Sequence, residues 1–247
     1  MPSEARRRRT PSALRSCVVI AAKSPCDVLV LAAFDPELSP LKGTLGPGLA
    51  GLVGATAVEA RAVGIGLVAA AIGAARLLRV PLPRAVVLIG TCGAYARLDR
   101  SPPALGQAVV AEGVRLVDVG VLSGAVELPA VIPIACRPDE SLRVAFVQQG
   151  LPAVEIGTTL GVTVSDPLAA EMARGGVEVE HLEAFSVASA CQVAGVAFAA
   201  VLGVSNIVGS AGREQWRANH RAASAAAAAE VIRWLEGGAR GLGPVVD

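Results

Sequence analysis

Val201-Leu202-Gly203-Val204-Ser205-Asn206 decides how this chain is read. An apolar strand ends in a polar Ser-Asn pair, and upstream Leu182-Glu183-Ala184 sets a single carboxylate on a helix-like segment. Strand ends in α/β sheets are where such folds present their working groups to a ligand. Glu183 accepts hydrogen bonds of the kind sugar hydroxyls donate, and Asn206 offers an amide donor and an amide acceptor to the edge of a heterocycle. Together they suit a nucleoside. Each residue also has a structural alternative. Asn206 beside Ser205 is a good cap for a strand end or a helix start, and Glu183 is equally satisfied by an arginine or a helix terminus.

Working outward, Asp27 to Ala33 and Ala85 to Gly90 are near-continuous apolar runs, the pattern of strands covered on both faces. The second breaks into Gly90-Thr91-Cys92-Gly93, read as a tight turn where backbone approaches a ligand closely. Val63 to Leu78 reads as a glycine-opened helix, and Gln107 to Leu122 as one or two strands with a turn near Glu112-Gly113. Leu142 to Gln148 fits helix or strand; Val154 to Thr159 and Gly161 to Val164 read as strand with loop. Val179 to Ala194 reads as a helix with Leu182, Phe185, Ala188 and Val193 on its apolar stripe, followed by a strand from Val196 to Val204. Arg217 to Gly237 reads as a terminal helix stopped by Gly237-Gly238. The alternation implies a three-layer α/β domain over residues 26–247.

Composition removes several classes of function. Hydrophobic residues make up 53% and charged residues 17%, so the chain buries much of its surface or uses part of it to oligomerise. A net charge of +1 and 3% aromatics supply neither an electrostatic pull on nucleic acid nor a stacking platform. No uncharged apolar run reaches the ~18 residues of a membrane span; Val63 to Ala75 comes nearest, and Arg76 closes it. Cys17, Cys26, Cys92, Cys136 and Cys191 form no CxxC pair, which fits reduced thiols in a cytoplasmic protein. No His/Cys/carboxylate cluster suggests a metal. His181 is expected to face away from Glu183 around the helix, and His220 to lie on the surface. Residues 1–25, with Arg6-Arg7-Arg8-Arg9, read as a disordered basic extension whose apolar part is too short for a signal peptide.

Four blocks in order carry a resemblance: Ala33-Phe34-Asp35-Pro36-Glu37-Leu38, Gly64-Ile65-Gly66-Leu67-Val68-Ala69-Ala70-Ala71, Gly90-Thr91-Cys92-Gly93-Ala94, and Leu182-Glu183-Ala184 with Val204-Ser205-Asn206. From about Asp27 to Leu235 the chain resembles the nucleoside phosphorylase and nucleosidase superfamily. The resemblance implies a mixed, twisted sheet, partly closed into a barrel and flanked by helices. It implies a homo-oligomer that cleaves the N-glycosidic bond of a nucleoside with phosphate or water and needs no cofactor. Glu183 would hold the ribose over Leu182, Asn206 with Ser205 would bind the base and support its departure, and Gly90, Thr91, Cys92 and Gly93 would line the floor.

Bacterial phosphorylases of this superfamily carry an arginine where this chain has Leu88, and a cation near the position of Glu37. A carboxylate there repels phosphate but can take a proton from water, which places Glu37 with the hydrolytic branch; otherwise Glu37 is an exposed loop carboxylate near a helix N-terminus. Adenosine-type members have aspartate where this chain has Asn206, so the amide favours a 6-oxopurine. Ser205-Asn206-Ile207-Val208-Gly209 followed by Arg213 and Trp216 is similar to the futalosine hydrolase branch, which removes hypoxanthine from futalosine on a route to menaquinone. Trp216 either covers the site or packs the terminal helix. A phosphorylase using Thr91 and backbone amides, and a nucleoside-binding protein without catalysis, are the competing readings.

Overall fold

The structure, a computed structural model, describes residues 26–96 and 101–243. The expected basic extension with Cys17, and residues 244–247 of the expected domain, lie outside the described residues. In chain order the elements are β1 (Val28–Ala32), α1 (Asp35–Leu38), α2 (Lys42–Leu45), β2 (Ala50–Val53), β3 (Thr56–Ala62), α3 (Leu67–Leu77), β4 (Ala85–Ala94), β5 (Ala108–Leu116), α4 (Val119–Leu122), β6 (Ala135–Cys136), α5 (Glu140–Gln148), β7 (Ala153–Thr158), α6 (Asp166–Arg174), β8 (Val179–Glu180), α7 (Ala184–Ala194), β9 (Ala197–Ile207) and α8 (Gly212–Glu236).

Alternation along the buried strands makes the layers, because successive strand residues point to opposite faces. Val28, Val30, Val87 and Ile89 pack with Leu142 and Phe146 of α5 and with Val231 and Trp234 of α8. Leu29, Leu31, Val86 and Leu88 pack instead with Ala70 and Ala74 of α3 and with Val187 and Cys191 of α7. Both faces are covered, which is why β1 and β4 read as unbroken apolar runs. Each such side chain contributes about 1.5–3 kcal/mol on full burial.

The nine-stranded sheet runs β2-β3-β1-β4-β8-β7-β5-β6, with β9 pairing both β4 and β5. It is mixed: β4 is parallel to β1 and β9 but antiparallel to β8, and β5 is parallel to β7 but antiparallel to β9. The path β4-β9-β5-β7-β8 returns to β4, closing the partial barrel that the resemblance implies. Among the described residues, no helix is long and apolar enough to cross a membrane.

Several local readings are corrected. Gly90-Thr91-Cys92-Gly93 is not a tight turn: β4 continues to Ala94, because β9 pairs with it from Ala85 to Ala94, with an irregularity between Cys92 and Gly93. β9 does not stop at Val204 but reaches Ile207, so Ser205 and Asn206 sit inside the strand. Glu112-Gly113 is a register shift within the single strand β5, α4 follows, and Gly161 to Val164 is loop. The ambiguous Leu142–Gln148 is helical, capped where the Asp139 side chain accepts from Leu142 N. Val179 to Ala194 divides into β8, a turn and α7, because β8 finds partners in β4 and β7. Val193 of the expected stripe is 91% exposed.

The long terminal helix α8 lies against β9 at Gly203, where a Cβ would come 1.9 Å from the Ala223 carbonyl oxygen. A backbone atom cannot turn aside. Gly203→Ala is therefore expected to cost about 2–3 kcal/mol and to lower the thermal midpoint by roughly 4–12 °C. Thermal unfolding followed by circular dichroism measures this, and an unchanged midpoint would show that α8 moves away freely.

Candidate active site

The turn after β1 brings the first carboxylate inward. Pro36 lies in the first turn of the short helix α1, where its fixed φ and missing N–H are tolerated. The helix folds Glu37 back so that Oε2 accepts from Ala33 N at 3.2 Å. Oε1 accepts from Thr91 N at 3.1 Å and from the Thr91 hydroxyl at 3.3 Å. Glu37 is 4% exposed, so it is not an exposed loop carboxylate. Gly90 lies beneath it: a Cβ there would sit 3.1 Å from Glu37 Oε1. Gly90 is thus the support for Glu37, and it does not join Thr91, Cys92 and Gly93 in lining the cavity as expected. Burial pushes the Glu37 carboxyl up to about 7, the negative charge of Glu183 adds to this, and the hydrogen bonds from Thr91 and Ala33 oppose it.

Glu183 is not inside a helix but at its start, as the N-cap of α7. Oε1 accepts from Gly66 N at 2.7 Å, and Gly66 is itself the N-cap of α3, with φ 86°. A positive φ there turns the amide toward the carboxylate, and the α3 terminus favours a negative charge. His181 does not face away. It is buried, lines the same cavity, and its Nδ1 accepts from Glu183 N at 3.2 Å and Ala184 N at 3.1 Å. A nitrogen that accepts two amides carries no proton, and burial holds the imidazole below its usual pKa against the opposing charge of Glu183. The 3.3 Å approach of His181 Nδ1 to Glu183 Oε2 is therefore not an ion pair.

One cavity of about 480 Å³ collects Glu37, Thr91, Cys92, Gly93, Leu182, Glu183, Ser205 and Asn206. The Ser205 hydroxyl lies 3.1 Å from the Cys92 carbonyl and 2.8 Å from Asn206 Oδ1, while Asn206 Nδ2 donates to Ile207 O at 3.3 Å. The second Nδ2 hydrogen of Asn206 is left for a ligand. Trp216 lines the cavity, and its Nε1 donates to Thr91 Oγ1 at 3.2 Å. His220 is not a free surface residue but stacks on Trp216 with ring centroids 4.6 Å apart.

Ile65 and Arg213 from the sequence motifs complete the walls, with Glu180 and the loop residues Val162, Thr163 and Val164, to which sequence alone assigns no site role. Asp166 accepts from Ser210 N and the Ser210 hydroxyl, each at 2.8 Å, which fixes the loop leading into α8. The Gly64-Ile65-Gly66 block was the available signal for the amide that holds Glu183. The four described cysteines are buried and free, and burial pushes the Cys92 thiol up, away from thiolate chemistry. Among the described residues, no group of three or more His, Cys, Asp or Glu side chains is placed to hold a metal ion.

No protein-family model and no curated protein sequence matches the chain. Solved structures do. The 5′-methylthioadenosine/S-adenosylhomocysteine nucleosidase from Neisseria meningitidis, in complex with methylthio-immucillin-A, is similar with a TM-score of 0.73 at 19% identity, over 85% of this chain and 98% of that one. The corresponding nucleosidase from Colwellia psychrerythraea 34H, with adenine, gives 0.73 at 21% identity over 88% and 97%. Futalosine hydrolase of Helicobacter pylori strain 26695 gives 0.74 at 16% identity over 85% and 97%. This chain has the fold of those nucleosidases.

The raised Glu37 pKa has a consequence for stability. Between pH 4.5 and about 7 the unfolded chain has released this proton while the folded chain still holds it, so stability falls as pH rises through that window. Glu37→Gln removes the penalty. It is expected to stabilise the protein by up to about 3 kcal/mol at pH 8 and by nothing near pH 4. Urea unfolding at the two pH values decides this, and equal stability of both proteins at pH 8 would contradict it.

Proposed function

We propose that this protein hydrolyses the N-glycosidic bond of a 6-oxopurine riboside. The observation that carries the reading is a single cavity shared by Glu37, Glu183 and Asn206. Ribose hydroxyls donate to the Glu183 carboxylate, with Leu182 as the apolar surface under the sugar. Glu37, with a pKa near neutrality, takes a proton from water as the water oxygen bonds to the anomeric carbon. The C–N bond breaks, and its electron pair moves into the purine, which leaves as an anion and takes its proton from solvent. The free Asn206 N–H faces the charge gathering on N7 and the 6-oxo group. Glu183 grips the sugar more tightly as it gains oxocarbenium character, so its contribution falls on the transition state.

Water is favoured over phosphate by the use of Thr91. Its amide and hydroxyl both donate to Glu37 and are not free for an anion. Leu88, where phosphorylases carry arginine, is wholly buried in the apolar layer. Arg213 supports a second reading, a phosphorylase, because it is a cation on the cavity wall. Within the leading reading Arg213 suits an acidic 5′ substituent. With the Ser205-Asn206-Ile207-Val208-Gly209 order and Trp216, this makes futalosine the substrate we infer, giving hypoxanthine and dehypoxanthine futalosine. The reading includes a homo-oligomer, since Ile65, Val68 and Ile72 at the start of α3 are 57–65% exposed; a monomer by light scattering would remove that part.

Assays of the full chain on inosine, futalosine, adenosine and methylthioadenosine, with and without phosphate, test the proposal. Cleavage of the 6-oxopurine ribosides without phosphate is expected, with kcat/KM rising as pH passes about 7 and Glu37 loses its proton. Glu183→Gln is expected to lower turnover at least about a hundredfold. Arg213→Met should raise KM for futalosine and spare inosine. Strict phosphate dependence would hand the assignment to the phosphorylase, and hypoxanthine binding without cleavage of any riboside would leave a binding protein.

A further inference from the structure

The cavity wall is rich in acceptors and poor in free donors. Glu37, Glu180 and Glu183 all stand on it. The Thr91 hydroxyl is turned to Glu37, that of Thr163 to Glu180, and that of Ser205 to Cys92 O and Asn206 Oδ1. Trp216 Nε1 is held by Thr91, Asn206 keeps one N–H, and Arg213 is an exposed cation. The donor that remains is on His181, which is 4% exposed and lines the same cavity.

Two amides decide where its proton sits. Glu183 N and Ala184 N donate to His181 Nδ1 at 3.2 and 3.1 Å, so the neutral ring carries its hydrogen on Nε2. Nδ1 is turned to the start of α7, and Nε2 lies across the ring from it. Among the described residues, the side-chain nitrogen and oxygen atoms that are both sealed in protein and unpartnered are Arg115 Nε and Thr159 Oγ1. No described group accepts from His181 Nε2, so this N–H is open to the cavity. Glu183 Oε2 is in the same position. Gly66 N donates to Oε1, whereas Oε2 lies 3.3 Å from His181 Nδ1 and receives no donor. A free acceptor and a free donor thus stand side by side.

A hydroxyl answers both, since it gives one hydrogen and has lone pairs to receive another. Resting on the nucleoside reading above, we propose that His181 is a ribose-recognition residue: its Nε2–H donates to the oxygen of one secondary ribose hydroxyl while that hydroxyl donates to Glu183 Oε2. The site then selects the riboside over the deoxyriboside that lacks this hydroxyl, because its loss leaves a buried N–H and a buried carboxylate oxygen unpaired together. With Nδ1 engaged by two amides, the imidazole holds the hydroxyl without taking its proton.

Calorimetric binding of formycin B to the full chain tests this, because the C–C link between its heterocycle and its ribose cannot be hydrolysed. Either the 2′-deoxy or the 3′-deoxy form is expected to bind at least about tenfold more weakly. His181→Asn keeps an acceptor oxygen on the Cγ that carries Nδ1 but ends short of Nε2. It is expected to weaken formycin B about tenfold and to leave that deoxy form nearly unchanged, so this preference shrinks while the preference at the other hydroxyl stays. A purely structural role for His181 would weaken all three ligands in proportion, and that result would overturn the proposal. The chain has only two histidines, so imidazole NMR spectra of the unaltered protein decide the matter even if the variant fails to fold. The His181 Nε2–H signal is expected to move on addition of formycin B and to move less with the deoxy form; a signal indifferent to bound formycin B would equally overturn the proposal. Because formycin B is not cleaved, absence of riboside cleavage ends the hydrolase reading alone, whereas ribose binding indifferent to His181 ends this one alone.

Discussion

The constraint on which the site depends is a carboxylate held in an apolar wall against a second negative charge. Glu37 is tolerated there because Ala33 N, Thr91 N and the Thr91 hydroxyl all donate to it. An unpaired buried carboxylate would be far too costly to keep. Those donors come from the end of β1 and from β4, strands whose parallel pairing fixes their separation. Gly90 must lack a side chain for the carboxyl to fit, and Trp216 must reach from α8 to hold the Thr91 hydroxyl. A loop, two strands and the terminal helix are thus tied to one acidic side chain.

β4 does most of the positioning, because β9 pairs with one edge from Ala85 to Ala94 while β1 and β8 hold the two ends of the other and leave Thr91 N between them for Glu37. Its first half packs β1 into the apolar layers, and its second half meets β8 on one edge and β9 on the other. Thr91 therefore meets Glu37, while Gly93 separates Glu180 from Asn206. The same closure of strands that makes the partial barrel sets the carboxylates and the amide around one cavity. A shift of one residue in either pairing would turn these side chains to the other face.

The layers were legible because strands covered on both faces leave near-continuous apolar runs rich in branched residues. Asn206 was legible as a polar residue at the end of such a run, Glu183 as a lone carboxylate on a helix-like segment, and Glu37 through the Phe34-Asp35-Pro36-Glu37 block. The stretch from Val179 to Ala194 misled because its apolar spacing suits a helix. β8 forms there only because β4 and β7, both distant in sequence, supply its partners. His181 was misplaced for the same reason. Gly90 reads as a turn glycine, yet what it answers to is the Glu37 carboxyl, a contact spanning distant residues. Glu180 left no local signal, since its donors Tyr95 and Thr163 come from separate loops.

Electrostatics also bear on the choice between water and phosphate. A pocket in which the Glu37 carboxyl is pushed up to about 7, by burial first and by Glu183 second, already resists one further negative charge. A phosphate dianion would add nearly two, beside carboxylates whose donors are occupied. Water adds none on entry. Under the proposed hydrolysis, new negative charge develops only on the departing base, on the side of the cavity where Asn206 keeps an N–H free. There it meets a donor, and the positive charge developing on the sugar meets Glu183. The distribution of fixed charges therefore fits a neutral nucleophile.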